Sequence, residues 1–253
     1  MYIEGIDDFF IQENRVEGIS ENDYKQAGFV VNSLKAISRM TFKSIYIVDY
    51  YKKNFLYVSD NPLFLCGFQP DEVKEMGYTF YTNQVPPEEL TMLLEINRAG
   101  FEFYSKTPIE ERMNLCISYD FHVSDRGNVK LFNHKLTPVV LAGNGNIWLA
   151  ACIVSLSSNT KAGNVEAHIH GKPYYWLYSL DKHQWEQNEK MRLNSREKEI
   201  LLLSTQGLSE HAISGKIHIS VPTVKFHKRN LFEKLKVRNL PAAIIEASNK
   251  KLL

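Results

Sequence analysis

The chain has 253 residues, 44% of them apolar and 23% charged, with a formal net charge of +1. This supplies core for two domains and excludes a disordered chain. No run approaches the roughly 18 uncharged apolar residues of a membrane span, and the acidic start lacks the cationic region of a signal peptide, so a soluble, cytoplasmic protein without a membrane partner is expected.

The net charge conceals an asymmetry. From Lys190 onward there are 13 Lys and Arg against 5 Glu, a net +8; the residues before it carry −7. A basic segment on an acidic domain is what phosphate-backbone binding by one module would produce, although charge alone does not separate DNA from RNA or an acidic partner. The three cysteines, Cys66, Cys116 and Cys152, lie far apart among apolar neighbours with no metal-ligand spacing, as buried thiols would.

In chain order, residues 1–40 form an N-terminal helical segment. Ser20 and Asp23 cap a helix expected over about 21–40, with Tyr24, Ala27, Val30, Val31, Leu34 and Ile37 along one face. That face either packs on the next domain or forms a dimer helix.

In the second segment, 41–185, the periodicity changes. Ser44 to Tyr50 and Phe55 to Ser59 read as a hairpin of β-branched and aromatic residues. Asn61-Pro62 opens a helical turn that Gly67 stops, and Pro70-Asp71-Glu72 starts another with its acids in the first turn. Pro86-Pro87-Glu88-Glu89 begins a longer helix that buries Leu90, Leu93, Leu94 and Ile96. Three strands are expected at 115–124, 129–140 and 146–156, joined by turns at Asp125-Arg126-Gly127-Asn128 and Ala142-Gly143-Asn144-Gly145. The order is that of an α+β domain.

Asn61, Gly67, Phe68, Glu72 and Val73, with Pro86-Pro87-Glu88 at the entry of the long helix, resemble the PAS sensor family over roughly 110 residues. The resemblance implies a five-stranded antiparallel sheet cupped by helices around a pocket that holds a small molecule or only transmits contacts. Which cofactor, if any, is left unknown. The region 78–84 lacks the reactive cysteine of flavin-binding photosensors, and no axial histidine for haem occurs between Val85 and Phe103. His122 and His134, on alternating strands, read as surface or hydrogen-bonded core residues rather than ligands. No Ser/His/Asp, paired-carboxylate or phosphate-loop arrangement argues for catalysis.

Residues 157–164 read as a polar loop. Pro173 to Leu180 and His183 to Glu186 read as a further strand pair around a turn at Asp181-Lys182, with the aromatic run serving as core, dimer patch or pocket lid.

After a linker at 186–192, the last segment, 193–253, is expected to be all-helical. Asn194 and Glu197 form a capping box; Ile200, Leu201 and Leu203 supply a buried face; Gly207 stops the first helix. Ser209 caps a short second helix with Ala212, Ile213 and Ile217 inward. Ser220 caps the third, where Pro222 is tolerated in the first turn.

On a wheel of the third helix, Val224, Leu231 and Leu235 cluster on one side, and Lys225, Phe226, Arg229 and Asn230 fall on the other. In a major groove the Phe226 ring can meet a thymine methyl while Lys225 and Arg229 reach guanine acceptors or phosphates; Thr223, Lys228, Lys234 and Lys236 flank the arc at phosphate positions.

Leu193, Arg196-Glu197, Gly207, Ser209, Ile213, Thr223-Val224-Lys225, His227, Asn230-Leu231, Lys234-Leu235 and Val237 closely resemble the LuxR/FixJ-type DNA-binding domain. Two residues depart from that family's pattern, Ala212 where Glu is usual and Leu240 where Arg is usual. The resemblance implies a four-helix helix-turn-helix domain that binds double-stranded DNA. A fourth helix over about 240–250, with Leu240, Ala243, Ile244 and Ala247 in a stripe, commonly makes the family's dimer contact; packing within its own chain explains the same residues. The combined expectation is a one-component transcription regulator, acting as a homodimer and not an enzyme, whose middle domain senses a small molecule or transmits a signal. The alternative is a middle domain that is a ligand-free docking or dimerisation module.

Overall fold

The computed structural model describes residues 9, 10, 14–250 and 252; the acidic residues Glu4, Asp7 and Asp8 of the chain start lie outside these. The backbone divides into two compact units, Met1–Asn188 and Glu189–Leu253. Among the described residues, no helix is long and apolar enough to cross a membrane.

The N-terminal unit opens with α1 (Glu21–Ser38), whose start is fixed by a reciprocal capping box between Ser20 and Asp23. Then come β1 (Ser44–Asp49), β2 (Asn54–Val58), α2 (Pro62–Leu65), α3 (Pro70–Met76), α4 (Thr79–Gln84) and α5 (Pro87–Lys106). A 3-10 turn (Ile109–Asn114) leads into β3 (Leu115–Asp125), β4 (Asn128–Leu141) and β5 (Ile147–Leu156), followed by β6 (Gly163–Ile169), β7 (Tyr174–Ser179) and β8 (Gln184–Glu189).

All strands among the described residues join one sheet in the order β2-β1-β5-β4-β3-β6-β7-β8. The five strands expected from the sequence do lie side by side, but the sheet has eight, and the expectation of a five-stranded sheet is corrected accordingly. The missed strand is β6, whose Gly163–Ile169 pairs antiparallel with β3, Ile117 opposite Ala167. Its side chains alternate between buried Val165, Ala167 and Ile169 and polar Asn164, Glu166 and His168. With β6 in place, β7 has an edge to join, Ala167 facing Trp176. β8 runs to Glu189, so residues 186–189, expected as linker, lie in a strand.

One sheet face carries α2 to α5 over an aromatic core. Phe64 packs on Tyr46, Phe80, Phe121 and Phe132, and Tyr81 on Tyr78 and Phe121. Packing of this kind contributes through buried area and ring geometry together. β4 accommodates Pro138 because its register shifts there, where the lost N–H would otherwise break the ladder.

α1 lies on β1. Ala27 is buried, Tyr24 stacks edge-on against Trp148, and the Tyr24 hydroxyl donates to Asp49. The packing face is narrower than the periodicity suggested: the helix ends at Ser38, and Ile37 is exposed, as are Phe29, Met40 and Phe42. Ahead of α1, the Asn14 amide exchanges two hydrogen bonds with the Ile147 backbone (3.0 and 2.8 Å), and Phe9 is buried against Tyr78 and Tyr81.

The loop 157–164 is anchored by a buried carboxylate. Asp120 on β3 is fully buried and accepts from the side-chain amides of Asn133 (2.9 Å), Asn159 (2.6 Å) and Asn164 (2.9 Å). Three N–H donors compensate the desolvation of that charge.

In the C-terminal unit, α6 (Ser195–Thr205), α7 (Glu210–Lys216), α8 (Val221–Leu235) and α9 (Leu240–Asn249) surround two small apolar clusters. Leu201, Leu231 and Leu235 meet Ala243 and Ala247 of α9, so the stripe on the fourth helix is covered within its own unit. Ile200, Leu203 and Val224 meet Ile213 and Ile217 of α7. Ala212, expected inward, is exposed: α7 is two turns long and turns only Ile213 fully into the core.

Candidate nucleic-acid interface

Local chemistry sets the direction of each helix in the C-terminal unit. The Asn194 side chain accepts from the Glu197 N–H (2.8 Å) and Glu197 accepts from the Asn194 N–H (2.9 Å). Gly207, at φ +78°, turns the chain where a Cβ would strain it. Ser209 caps α7 through the Ala212 N–H, and Ser220 caps α8 through the Thr223 N–H, each at 3.2 Å.

α8 buries Val224, Leu231 and Leu235 and presents its opposite face to solvent. There the side chains of Lys225 and Arg229 are 66% and 68% exposed, and Phe226 is 50% exposed. Leaving half of a phenylalanine in water forgoes roughly 1 kcal/mol of burial, so a packing role alone does not explain the ring. The Arg229 guanidinium lies over that ring, 5.7 Å from its centroid. Asn230 is half-buried beside them, and Thr223 is half-buried at the helix start with its hydroxyl 2.7 Å from Ser220 Oγ.

The flanking lysines have partners the sequence did not reveal. Lys228 Nζ is 3.2 Å from Glu210 Oε1, and Lys225 Nζ is 4.0 Å from Glu210 Oε2. Glu210 sits in the first turn of α7, where it also suits the helix dipole. Its contact with α8 depends on the crossing of the two helices, which no single-helix pattern encodes. Lys234 Nζ lies 2.7 and 2.8 Å from the two oxygens of Glu197, which is buried, and so ties the last turn of α8 to the first turn of α6. Its placement is that of a structural tie, whereas Lys236 is exposed at the C-cap with φ +55°.

The core of the N-terminal unit is closely filled. The cavity between α5 and the sheet, lined by Tyr50, Ile96, Phe101, Tyr104, Tyr119 and Leu136 among others, measures about 40 Å³. That holds water-sized occupants, against the ~300 to 1,000 Å³ of typical small-molecule sites. Inside the core a polar chain runs from the Tyr81 hydroxyl to that of Tyr46 and on to His134 Nε2. His134 is thus a hydrogen-bonded core residue; burial pushes its imidazole down to about 3, and its Nδ1 has no partner among the described residues. Burial raises the Tyr46, Tyr78, Tyr81 and Tyr119 hydroxyls well above their ordinary value. His122, half-buried, is held by Glu89 at 2.6 Å. No group of three metal-ligating side chains occurs among the described residues.

Residues 191–247, which span this assembly of capped helices, match the family described as bacterial regulatory proteins, luxR family. Domains of that family are regulatory DNA-binding modules and not catalytic ones. The response regulator protein VraR of Staphylococcus aureus (strain Mu3 / ATCC 700698) is 41% identical over 61 residues, 24% of this chain and 29% of the relative; VraR of Staphylococcus epidermidis (strain ATCC 35984 / DSM 28319 / BCRC 17069 / CCUG 31568 / BM 3577 / RP62A) matches to the same extent. The chain therefore spans less than a third of these relatives' length. Among solved structures, the phage VqmA-DPO complex is 15% identical over 90% of each chain with a TM-score of 0.32, and the Vibrio cholera VqmA-ligand-DNA complex 14% identical over 88% of each with a TM-score of 0.34.

Proposed function

We propose that the chain is a one-component transcription regulator: residues 193–253 bind double-stranded DNA sequence-specifically, and residues 41–185 form a PAS-like domain that senses or relays a signal. The observation that carries the reading is the exposed arc of Lys225, Phe226 and Arg229 on a helix whose other face is fully packed. In a major groove, Lys225 and Arg229 reach guanine acceptors, Phe226 a thymine methyl, and Asn230 an adenine edge, while Thr223 and Lys228 contact phosphate. Lys234, also expected at a phosphate, is paired with Glu197 and holds α8 against α6 while part of its side chain stays exposed for such a contact. A homodimer would read two half-sites about 34 Å apart. Lys225→Glu and Arg229→Ala should abolish site preference in a selection from genomic fragments while leaving the circular dichroism and melting of the protein unchanged. Unchanged site preference in both variants would remove α8 as the reader.

A second reading of the N-terminal unit, as a docking or relay module with no ligand inside it, is favoured by the filled core. Mass spectrometry of the full chain after gentle denaturation tests it, a stoichiometric small molecule counting against it.

A further inference from the structure

The inner core leaves no room for a small molecule, but a wide groove lies on the outside of the same unit. It runs between α5 and the β7–β8 extension and has a volume of about 670 Å³, within the ~300 to 1,000 Å³ typical of small-molecule sites. Its walls are aromatic. Phe103 of α5 meets Trp176 of β7 (centroids 4.9 Å) and Trp185 of β8 (5.0 Å), and Tyr174 stands perpendicular to Trp176 at 5.1 Å. All four rings are half-buried, so each keeps surface turned to solvent. The rings are held in place: Trp185 Nε1–H donates to the Ala99 carbonyl at 3.3 Å, and Tyr178 beneath it donates to Glu95.

The charges around the groove are unequal in availability. Of its acidic neighbours, Glu95 already accepts from Tyr178 and is 2.6 Å from His183, and Glu111 is paired with Lys172 at 2.5 Å. Arg98 and Lys106, one helical turn on either side of Glu102, are exposed and, among the described residues, have no carboxylate within ion-pair distance. Two uncommitted cations thus face one uncommitted acid over an aromatic floor.

We propose that this groove is a binding site for a small planar aromatic anion, its ring laid against the solvent-facing surfaces of Trp176, Trp185 and Phe103 and its acidic group on Arg98 and Lys106. The proposal rests on the reading of the N-terminal unit as a sensor, and it moves the sensing surface from the inside of the sheet-and-helix core to the extension. β8 forms one wall of the groove and is the last strand before α6, so occupancy bears on the segment that leads to the DNA-binding unit.

Two of the three tryptophans of the chain line the groove, so the full-length protein reports its own occupancy. The test uses 1-anilinonaphthalene-8-sulfonate, an aromatic anion, and N-phenyl-1-naphthylamine, its uncharged counterpart, without DNA. The sulfonate should bind at one saturable site with energy transfer from tryptophan. Trp176→Leu and Trp185→Leu should each weaken it by about tenfold, the equivalent of one lost aromatic contact, whereas Trp148→Phe should not. Because Arg98 and Lys106 are exposed, the double variant Arg98→Gln/Lys106→Gln keeps the fold; it should weaken the sulfonate about threefold and leave the uncharged probe unchanged. The proposal is overturned if the sulfonate fails to bind, binds without saturation, or binds the groove variants as it binds the unaltered protein. Since no DNA is present, failure here leaves the DNA-binding reading standing, and loss of the α8 arc as reader leaves the groove standing.

Discussion

Glu210 sets a counter-charge beside the arc proposed to meet DNA, and its neutralisation should give a measurable gain. Its carboxylate lies 3.2 Å from Lys228 Nζ and 4.0 Å from Lys225 Nζ. Two unit charges 4 Å apart interact by about 1 kcal/mol in water, and exposed pairs measure about 0.2 to 1 kcal/mol. Lys225 is largely exposed, so its pair contributes at the low end; Lys228, with 21% of its side chain exposed, contributes more. Releasing both in Glu210→Gln should strengthen binding to a random-sequence duplex by about 1 kcal/mol, or roughly fivefold, at 50 mM salt. Because each of the two freed lysines can neutralise one more phosphate on a random-sequence duplex, the slope of log K against log salt should steepen by about 2. Fluorescence anisotropy with a labelled 30-base-pair duplex, titrated between 50 and 200 mM salt, measures both quantities. The charge should cost a few tenths of a kcal/mol of helix stability on removal, because it sits in the first turn of α7. Unchanged or weakened affinity with an unchanged salt slope would refute the reasoning, since the two lysines would then not be among the groups that meet phosphate.

Glu197→Ala should lower the stability of the C-terminal unit by roughly 2 to 3 kcal/mol, because it removes half of a capping box and the partner of Lys234; urea unfolding followed by circular dichroism, with Lys234→Met as the second arm of a double-mutant cycle, reads the coupling. Asp120→Ala should destabilise the N-terminal unit by roughly 2 to 4 kcal/mol by stranding three asparagine amides, seen as a lower urea midpoint and faster proteolysis in 157–164. The His134 imidazole, held down to about 3 in the fold, takes up a proton in the unfolded chain near its ordinary value of about 6.5. Its stabilising contribution is therefore present above pH 6.5 and lost as pH falls from there toward 3, by up to about 1.4 kcal/mol per pH unit. Melting of the N-terminal unit between pH 7 and pH 5 should fall more steeply for the unaltered protein than for His134→Gln, and parallel curves would refute it.

What was legible in the sequence was local. Ser20-Asp23, Asn194-Glu197, Ser209 and Ser220 cap helices where they were expected to, because a cap is a contact between residues three apart. The wheel of α8 separated Val224, Leu231 and Leu235 from Lys225, Phe226 and Arg229 because one helix suffices to define its own faces. Contacts between elements were not legible. β6 shows a two-residue alternation, but with only Val165, Ala167 and Ile169 to bury, its pattern is weak without the edge of β3 beside it. The spacing of Ala212 points it inward, yet the short α7 leaves it in solvent. Glu210, the Lys234–Glu197 tie and the aromatic walls around Trp176 and Trp185 each join elements that are distant in sequence.

The tie between Lys234 and Glu197 gives α8 a pivot. It clamps the final turn of the helix, and Lys225 to Asn230 lie about 6 to 14 Å up the axis from it at 1.5 Å per residue. A small angular error at the clamp is therefore enlarged into a sideways displacement at the exposed arc of Lys225, Phe226 and Arg229. On the proposed reading of α8 as the DNA reader, Lys234 would bear on which bases are read through its tie alone: as the fulcrum of a lever, it would fix the angle at which the reading end enters the groove.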